Sequence, residues 1–514
     1  MTTAASHTRP TPGAPRPYRF PPFQRRLLPN GLTLLVAPVH KLPIITVNTV
    51  VHSGAALDPA GREGLAAITA SLATEGAGAL DGAALTERFE RLGTGLDAGA
   101  DWDATSLQLT VTPDRLRDAL VLLGDVLTRP ALPERELDRL REERLAELLQ
   151  LRAEPRGLAD EGFSRAIYAP DARYAHPEGG NENSVRAITL TDVRTWHATH
   201  FVPSNTSLIV VGDITAEACE RMIGEALVTW SGAASAGSRR VELPDMAART
   251  TGRMHVIPRE GAAQSEVRVG HVGIPRTHPD YFAAAVMNAI LGGLFSSRIN
   301  LNLREEHGYT YGAFSAFDWR LASGPFVVSS AVQSESTAEA VREMLGEIER
   351  MRQTDVTEEE LSLATSFLQG VFPIRYETTA AIAGALANLV IYGLPEDYFD
   401  RYRDRIGALR PADVRRAAET HLRPEDLRIV VVGERTVIEG PLEALGYGVP
   451  EIIDAEGRGI GSKPLPNKGG ASCARWWDDR ARRSWPRSAC IPAGSSISTW
   501  TRCAFPTGQP VNSK

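Results

Sequence analysis

Long apolar runs are missing from this chain of 514 residues. No stretch approaches the roughly 18 consecutive apolar residues that a membrane-spanning helix requires, so the 43% of hydrophobic residues must serve interior packing. Cysteine is scarce as well. Of the four present, Cys219 lies in a helical pattern, and Cys473, Cys490 and Cys503 lie near the C-terminus without CxxC spacing. That excludes a zinc knuckle and a disulfide framework. The opening residues, MTTAASHTRPTPGAPRPYRFPPF, hold no apolar block like that of a secretory signal, and their prolines interrupt any presequence helix. A disordered leader on a cytoplasmic protein is expected, or a periplasmic protein if the start codon is misassigned. Positive charge is also short. The net charge is −7, and because the last sixty residues carry ten Lys/Arg against three Asp/Glu, the body before them is near −14. Such a body repels phosphate backbones, so nucleic acid is not an expected partner.

What the chain does hold is an internal repeat. DVRTWHATHFVPSNTSLIVVGD (Asp192 to Asp213) matches DVRRAAETHLRPEDLRIVVVGE (Asp413 to Glu434) without a gap, sharing the Asp, Val, Arg, Thr, His, Pro, Val, Val and Gly positions. A match of that length signals duplication. Each copy reads as a helix, a Pro-containing turn and a buried strand of β-branched residues ending at Gly. His200 and His421 occupy the same place, whereas His197 has Ala418 as its counterpart. A metal-binding HATH pair would need both imidazoles, so these histidines are read as structural residues near a helix end.

The repeat extends outward with less regularity. Gly124 to Leu140 resembles Gly346 to Ala364, and Thr357 followed by Glu360 reads as a capping box opening a long helix. Each half begins with strands, continues through helices and a β-hairpin, and closes with the repeated unit. This predicts an α+β fold of two homologous domains, each a mostly antiparallel sheet with helices packed on one face. The expected layout is a leader over 1–24, a first domain over 25–230, a linker over 231–250, a second domain over 251–450 and a disordered tail over 451–514. The tail carries three of the four cysteines and half of the eight tryptophans, with no helical or strand period.

Three segments carry a family resemblance: LPNGLTLLVAP (Leu28 to Pro38), VVHSGAALDPAGREGLAAI (Val50 to Ile68) and FSSRINLNLREEHGYTYGAFS (Phe295 to Ser315). In that order, on a duplicated α+β chain, they resemble the pitrilysin family of inverted-motif zinc peptidases, especially its bacterial two-subunit branch and the mitochondrial processing peptidase. The resemblance spans about Arg25 to Pro450. It implies half of a clam-like chamber. In active members of that family, HxxEH puts two zinc-binding histidines and a glutamate base on one helix face. Here Ala67 and Ser71 stand at the histidine positions and Ala70 at the base position. No HxxEH occurs anywhere in the chain. Glu147 falls near the place of the family's more distant ligand, but a single carboxylate does not retain zinc, and the alternative is a solvated helix residue. No metal is expected in this chain.

The resemblance also implies what is kept. Arg304 and Tyr311 occupy the positions of the arginine and tyrosine that, in active complexes, reach toward a substrate held at the zinc of the other half. A guanidinium and a phenol are suited to hold a peptide carbonyl and the oxyanion that develops on it. Arg304 would close a helix and Tyr311 open a strand, with both tips meeting if the turn at His307 and Gly308 is tight. As a lone imidazole, His307 is read as a turn residue. Gly292 and Gly293 are candidates for a short substrate loop, with a helix-to-helix turn as the alternative, and Arg298 is expected to pair with an acidic residue. The resemblance thus implies a zinc-free subunit working with an HxxEH-bearing partner that supplies the zinc. Peptide substrates would add to a sheet edge, including an edge after Val50 to Ala56. A catalytically silent scaffold, like the core subunits of the respiratory bc1 complex, and a stand-alone peptide-binding pseudoenzyme are the alternatives.

Overall fold

Eleven of the repeat's strand-forming apolar positions, Leu208 to Val211, Ile429 to Val432, Val256, Val269 and Val328, are fully or almost fully buried, and the strands they form define the architecture. The computed structural model describes residues 17–231, 248–249 and 252–460. Two compact units divide the chain, Met1–Lys463 and Pro464–Lys514, and every described residue belongs to the first. The expected tail from 461 and most of the expected linker lie outside the described residues.

The first half contributes β1 (Gln24–Leu27), β2 (Thr33–Pro38), β3 (Ile45–Val51), a small hairpin of β4 (Gly76–Ala77) and β5 (Leu80–Asp81), β6 (Asp97–Ala100), β7 (Thr105–Val111) and β8 (Thr206–Gly212). The second contributes β9 (Met254–Pro258), β10 (Gln264–Val272), β11 (Ala313–Phe317), β12 (Pro325–Gln333), β13 (Arg428–Gly433) and β14 (Glu451–Ile452). Sheet one has the order β1-β2-β8-β3-β7-β6 and sheet two β11-β12-β10-β13-β9-β14. Reversing the first makes the duplication visible, since β6, β7, β3, β8 and β2 then correspond to β11, β12, β10, β13 and β9. Within each set, only β2/β8 and β9/β13 run parallel. The sixth strand differs in origin: β1 is antiparallel to β2, whereas β14 is parallel to β9. The second sheet therefore continues past the boundary at 450 expected from sequence.

Each half has its own helices on one face of its sheet, as the α+β pattern requires. The other face is closed by an exchange. Helix Pro155–Ile167, from the first half, packs on β10 and β13 of the second sheet, with Leu158, Phe163, Ile257, Val430 and Val432 in one buried cluster. Helix Thr379–Ile391, from the second half, packs on β3 and β8 of the first, and its Thr379 hydroxyl lies 2.8 Å from that of Thr46. Being covered on both faces, β3, β8 and β13 are buried at every residue. Burying a side chain such as Phe163 contributes about 1.5–3 kcal/mol, so the exchange ties the halves together through their cores.

Two further elements follow from local sequence. Thr357 caps the helix Glu358–Arg375 in a reciprocal box with Glu360, as the spacing predicts. The run Tyr281–Glu306 is long and apolar enough by composition to cross a membrane, yet it is interrupted where Leu294 turns extended (φ −113°, ψ 156°) and is largely buried in the second half. Part of the expected leader is ordered: Phe20 is buried and stacks on Phe399, with ring centroids 4.3 Å apart.

Candidate functional site

Helix Leu65–Ala73 carries Ala67, Ala70 and Ser71, the positions that the sequence resemblance assigns to the metal motif, and its start is pinned by a buried carboxylate. Asp58 accepts hydrogen bonds from the backbone N–H groups of Gly64 (2.7 Å) and Ala66 (2.9 Å) and from the Arg173 guanidinium (3.2 Å). This satisfies two of the N–H groups a helix leaves open at its N-terminus. Gly64 sits at φ 97°, a left-handed conformation that favours glycine. The helix packs against Glu134–Ala153, Leu190–His200 and β6. Its scaffold is thus fully built.

Its chemistry is absent. Ala70 is buried, Ala67 and Ser71 are half-buried, and together they present two methyl groups and one hydroxyl where zinc needs nitrogen, sulfur or carboxylate donors. The Ser71 carbonyl accepts from the Thr74 hydroxyl at 2.8 Å. Glu147 is exposed and pairs with Arg144 at 3.0 Å, so it is a solvated helix residue. The residues at this position do not fit a zinc ion.

The repeated histidines hold structure in two different ways. His200 Nδ1 lies 2.8 Å from Ser53 Oγ. Asn205 donates to that Ser53 oxygen at 3.1 Å and to the His200 carbonyl at 3.0 Å, which ties the turn after β3 to the repeated unit. His197 stacks on Phe201, with centroids 4.6 Å apart. Burial lowers both histidines to about 4, so both are neutral near pH 7. His421, in the second copy, instead meets the Asp280 carboxylate at 2.8 Å.

Arg304 and Tyr311 flank a tight turn. Arg304 lies in a wide, π-type helical turn, Leu301–Glu306, of the kind often found at functional sites. Gly308 at φ 66° reverses the chain, and Tyr309 N donates to Leu303 O at 2.9 Å. His307 stacks on Tyr309 at 5.0 Å and 11°, which makes it a turn residue. Tyr311 does not open the strand: β11 starts at Ala313, and Tyr311 precedes it with 92% of its surface exposed. The Arg304 guanidinium lies 4.4 Å from the centroid of Phe295, a platform that sequence reasoning did not assign. Among the described residues no hydrogen bond or ring contact joins Arg304 to Tyr311. Tyr311 faces solvent, whereas the Arg304 side chain is 33% exposed and its Nη1 is buried with no hydrogen-bond partner.

Gly292 and Gly293 do not form an open loop. They end a π-type turn, Ala289–Gly293. A Cβ on buried Gly292 would lie 2.4 Å from the Ser315 backbone nitrogen, so Gly292 permits close packing of the helix on β11. Arg298 does find its acid, a two-pronged pair with Glu360 at 2.7 and 2.9 Å. Hydrogen bonding to Arg298 lowers the Glu360 carboxyl to about 2.

The sheet edges also differ from the sequence reading. The segment after Val50 is no edge, because β3 lies between β8 and β7, and Ala55 and Ala56 donate to the carbonyls of Asp101 (2.8 Å) and Trp102 (2.9 Å). The true edge beside the degenerate helix is β6, which pairs only with β7. Gly99 on β6 has open space where a Cβ would stand. Its counterpart β11 is covered instead: Asn288 donates to Ser315 O at 3.1 Å, and Asn300 accepts from Ala313 N at 3.1 Å. Two asparagines in otherwise apolar helical runs were the available signal.

A duplicated α+β chain of the pitrilysin type, its first-half helix stripped of zinc donors, is the class that fold and site define. The family model described as insulinase (peptidase family M16) matches residues 36–173, and that described as peptidase M16 inactive domain matches 187–368. The chain belongs to the peptidase M16 family. An uncharacterized zinc protease of Streptomyces coelicolor is 23% identical over 398 residues, covering 77% of this chain and 86% of that protein. A non-peptidase homolog of Helicobacter pylori is 22% identical over 402 residues, 77% of this chain and 90% of that protein. The crystal structure of a peptidase M16 inactive domain from Pseudomonas fluorescens superposes with a TM-score of 0.75 at 25% identity, over 80% of this chain and 98% of that one.

Proposed function

We propose that this chain is the subunit lacking the catalytic zinc in a two-chain M16 peptidase. A partner bearing HxxEH supplies the zinc and the base, and this chain supplies Arg304, Tyr311 and part of the chamber wall. The observation that carries the reading is the contrast between a pinned but donorless helix Leu65–Ala73 and an Arg304/Tyr311 pair left without hydrogen bonds to each other, with Tyr311 exposed and the buried Arg304 Nη1 unpartnered. A pair aimed at this chain's own first half would be unable to act there, since Ala67, Ala70 and Ser71 offer no metal donors.

In the mechanism this reading implies, a peptide held across the two chains presents its scissile carbonyl to Arg304 and Tyr311. The guanidinium, steadied over Phe295, donates a charged hydrogen bond, and the phenol donates a neutral one, so the developing oxyanion is stabilised without either group titrating. The zinc of the partner would activate the attacking water. Edge strand β6, open and free of large side chains, would hold an extended peptide by main-chain hydrogen bonds.

A structural-subunit reading draws on one observation, an exposed apolar stripe of Leu363 (49%), Phe367 (44%) and Ile374 (71%) on helix Glu358–Arg375. The test of the main reading is peptide hydrolysis after mixing with an M16 subunit that carries HxxEH. Activity appearing only in the mixture supports it, and a mixture that assembles yet stays silent supports the structural subunit.

A further inference from the structure

The second half gathers two imidazoles and a carboxylate in a place that has no counterpart in the first. His278 and Asp280 sit in the turn before helix Tyr281–Asn288, and His421 ends helix Pro411–His421. The Asp280 backbone N–H donates to His278 Nδ1 at 3.1 Å, which turns the ring toward the carboxylate two residues on. His421 Nε2 lies 2.8 Å from Asp280 Oδ2. The two imidazole rings stand edge to face, with centroids 4.8 Å apart. One ligand-capable atom from each of the three residues lies within 4.8 Å of the other two, and no other such trio occurs among the described residues. In the first half the corresponding histidine, His200, meets the Ser53 hydroxyl instead of a carboxylate.

We propose that His278, Asp280 and His421 form a binding site for a first-row divalent transition ion of the zinc type. Two imidazole nitrogens with one carboxylate select zinc and its neighbours over magnesium or calcium, which take oxygen ligands. Ligands held about 2.0–2.2 Å from a zinc ion are separated by roughly 3–3.5 Å. His421 Nε2 and Asp280 Oδ2 stand 2.8 Å apart as a hydrogen-bonded pair, so binding replaces that bond and widens the gap by about half an ångström; the side chains are 5% and 29% exposed. His278 is half-buried on a turn and supplies the remaining closure. Coordination through its Nε2 moves the ring proton to Nδ1 and gives up the hydrogen bond from the Asp280 amide. The half-exposed mouth leaves room for water to complete the shell. A bound ion would clamp the start of helix Tyr281–Asn288 to the end of helix Pro411–His421, two elements already in contact.

The site shares no residue with helix Leu65–Ala73 or with Arg304 and Tyr311, so it stands or falls apart from the function proposed above. The experiment uses the full chain without a histidine tag, stripped with chelator and titrated with zinc chloride against a chromophoric competitor. One zinc per chain is expected, with affinity weakened about 100-fold or more in His278→Ala and Asp280→Asn and unchanged in Glu147→Gln. Zinc should also raise the Tm of the wild-type chain but not that of H278A. H278A alters only a half-exposed turn residue, so its own Tm without zinc checks that it folds. Absence of stoichiometric binding, or binding that survives in both H278A and D280N, overturns the proposal.

Discussion

Edge strands β6 and β11 are the same element in two copies, and they have been finished in opposite ways. Both end a sheet of equivalent order, and both lie beside the first long helix of their half. At β11, Asn288 at the end of helix Tyr281–Asn288 and Asn300 in the short helix Arg298–Asn300 each hydrogen-bond the outer edge, and Gly292 makes the close approach sterically feasible. At β6 the neighbouring helix is Leu65–Ala73, and the outer edge has no hydrogen-bond partner among the described residues. An unpaired edge is a liability that proteins usually blunt. Blunting one copy and leaving the other open points to a use for the open one. On the function proposed above, the half without zinc donors would use its open edge to hold a peptide, and the half with the covered edge would supply the side chains that hold a carbonyl.

The comparison is broken most severely by undoing the helix exchange that both halves share. Phe163→Ala in helix Pro155–Ile167 should cost about 3–5 kcal/mol and Leu386→Ala in helix Thr379–Ile391 about 2–5 kcal/mol, measured by urea unfolding. If the exchange couples the halves, either variant lowers one cooperative transition. Two separated transitions, or losses under about 1 kcal/mol, would show that the halves are independent.

The sealing of β11 is sharpened by a smaller change. Gly292→Ala drives a methyl group into the Ser315 backbone and should cost about 1–3 kcal/mol, whereas Gly293→Ala, at an exposed position, should cost less. Equal effects on Tm would mean that close approach of the helix is not what seals the edge.

Near neutral pH the smallest effect concerns His200, one of the two repeated histidines, because it emerges only on acidification. His200 has a folded pKa near 4, below the unfolded value of about 6.5. Between those limits the unfolded chain binds more protons, so the contribution of His200 to stability is complete above about pH 6.5 and is lost as pH falls toward 4. His200→Asn should therefore flatten the acid side of the stability curve, by at most about 1.4 kcal/mol per pH unit. An unchanged slope would indicate that His200 is not held neutral by burial.

Much of this was legible in the sequence. The repeat predicts two sheets of like topology, because a 22-residue ungapped match contains a helix, a turn and a strand that must bury the same face twice. The Thr357 cap follows from spacing alone, and that Ala67, Ala70 and Ser71 offer no imidazole or carboxylate follows from identity alone. What could not be read is who covers whom. A run such as LIVVG signals burial on both faces without saying that the second cover comes from the other half. The position of the open edge was misjudged for a related reason: β3 reads as a strand next to a turn, and only pairing with both β7 and β8 makes it interior. Tyr311 was expected to open a strand, whereas β11 begins at Ala313, after Gly312. The grouping of His278 and Asp280 with His421 was hidden because His421 lies 141 positions beyond Asp280.

The claim that matters most is the division of labour between this chain and another. Its most direct measurement is peptide hydrolysis by this chain alone, by an HxxEH-bearing M16 partner alone and by the two mixed, repeated with Arg304→Ala and Tyr311→Phe. The account predicts no hydrolysis by this chain alone and activity in the mixture. It also predicts that both variants still fold, with stability changed by less than about 0.5 kcal/mol, and still assemble, but lose roughly 10²–10³-fold in kcat. Hydrolysis by the isolated chain, or full activity in a mixture containing either variant, would contradict it.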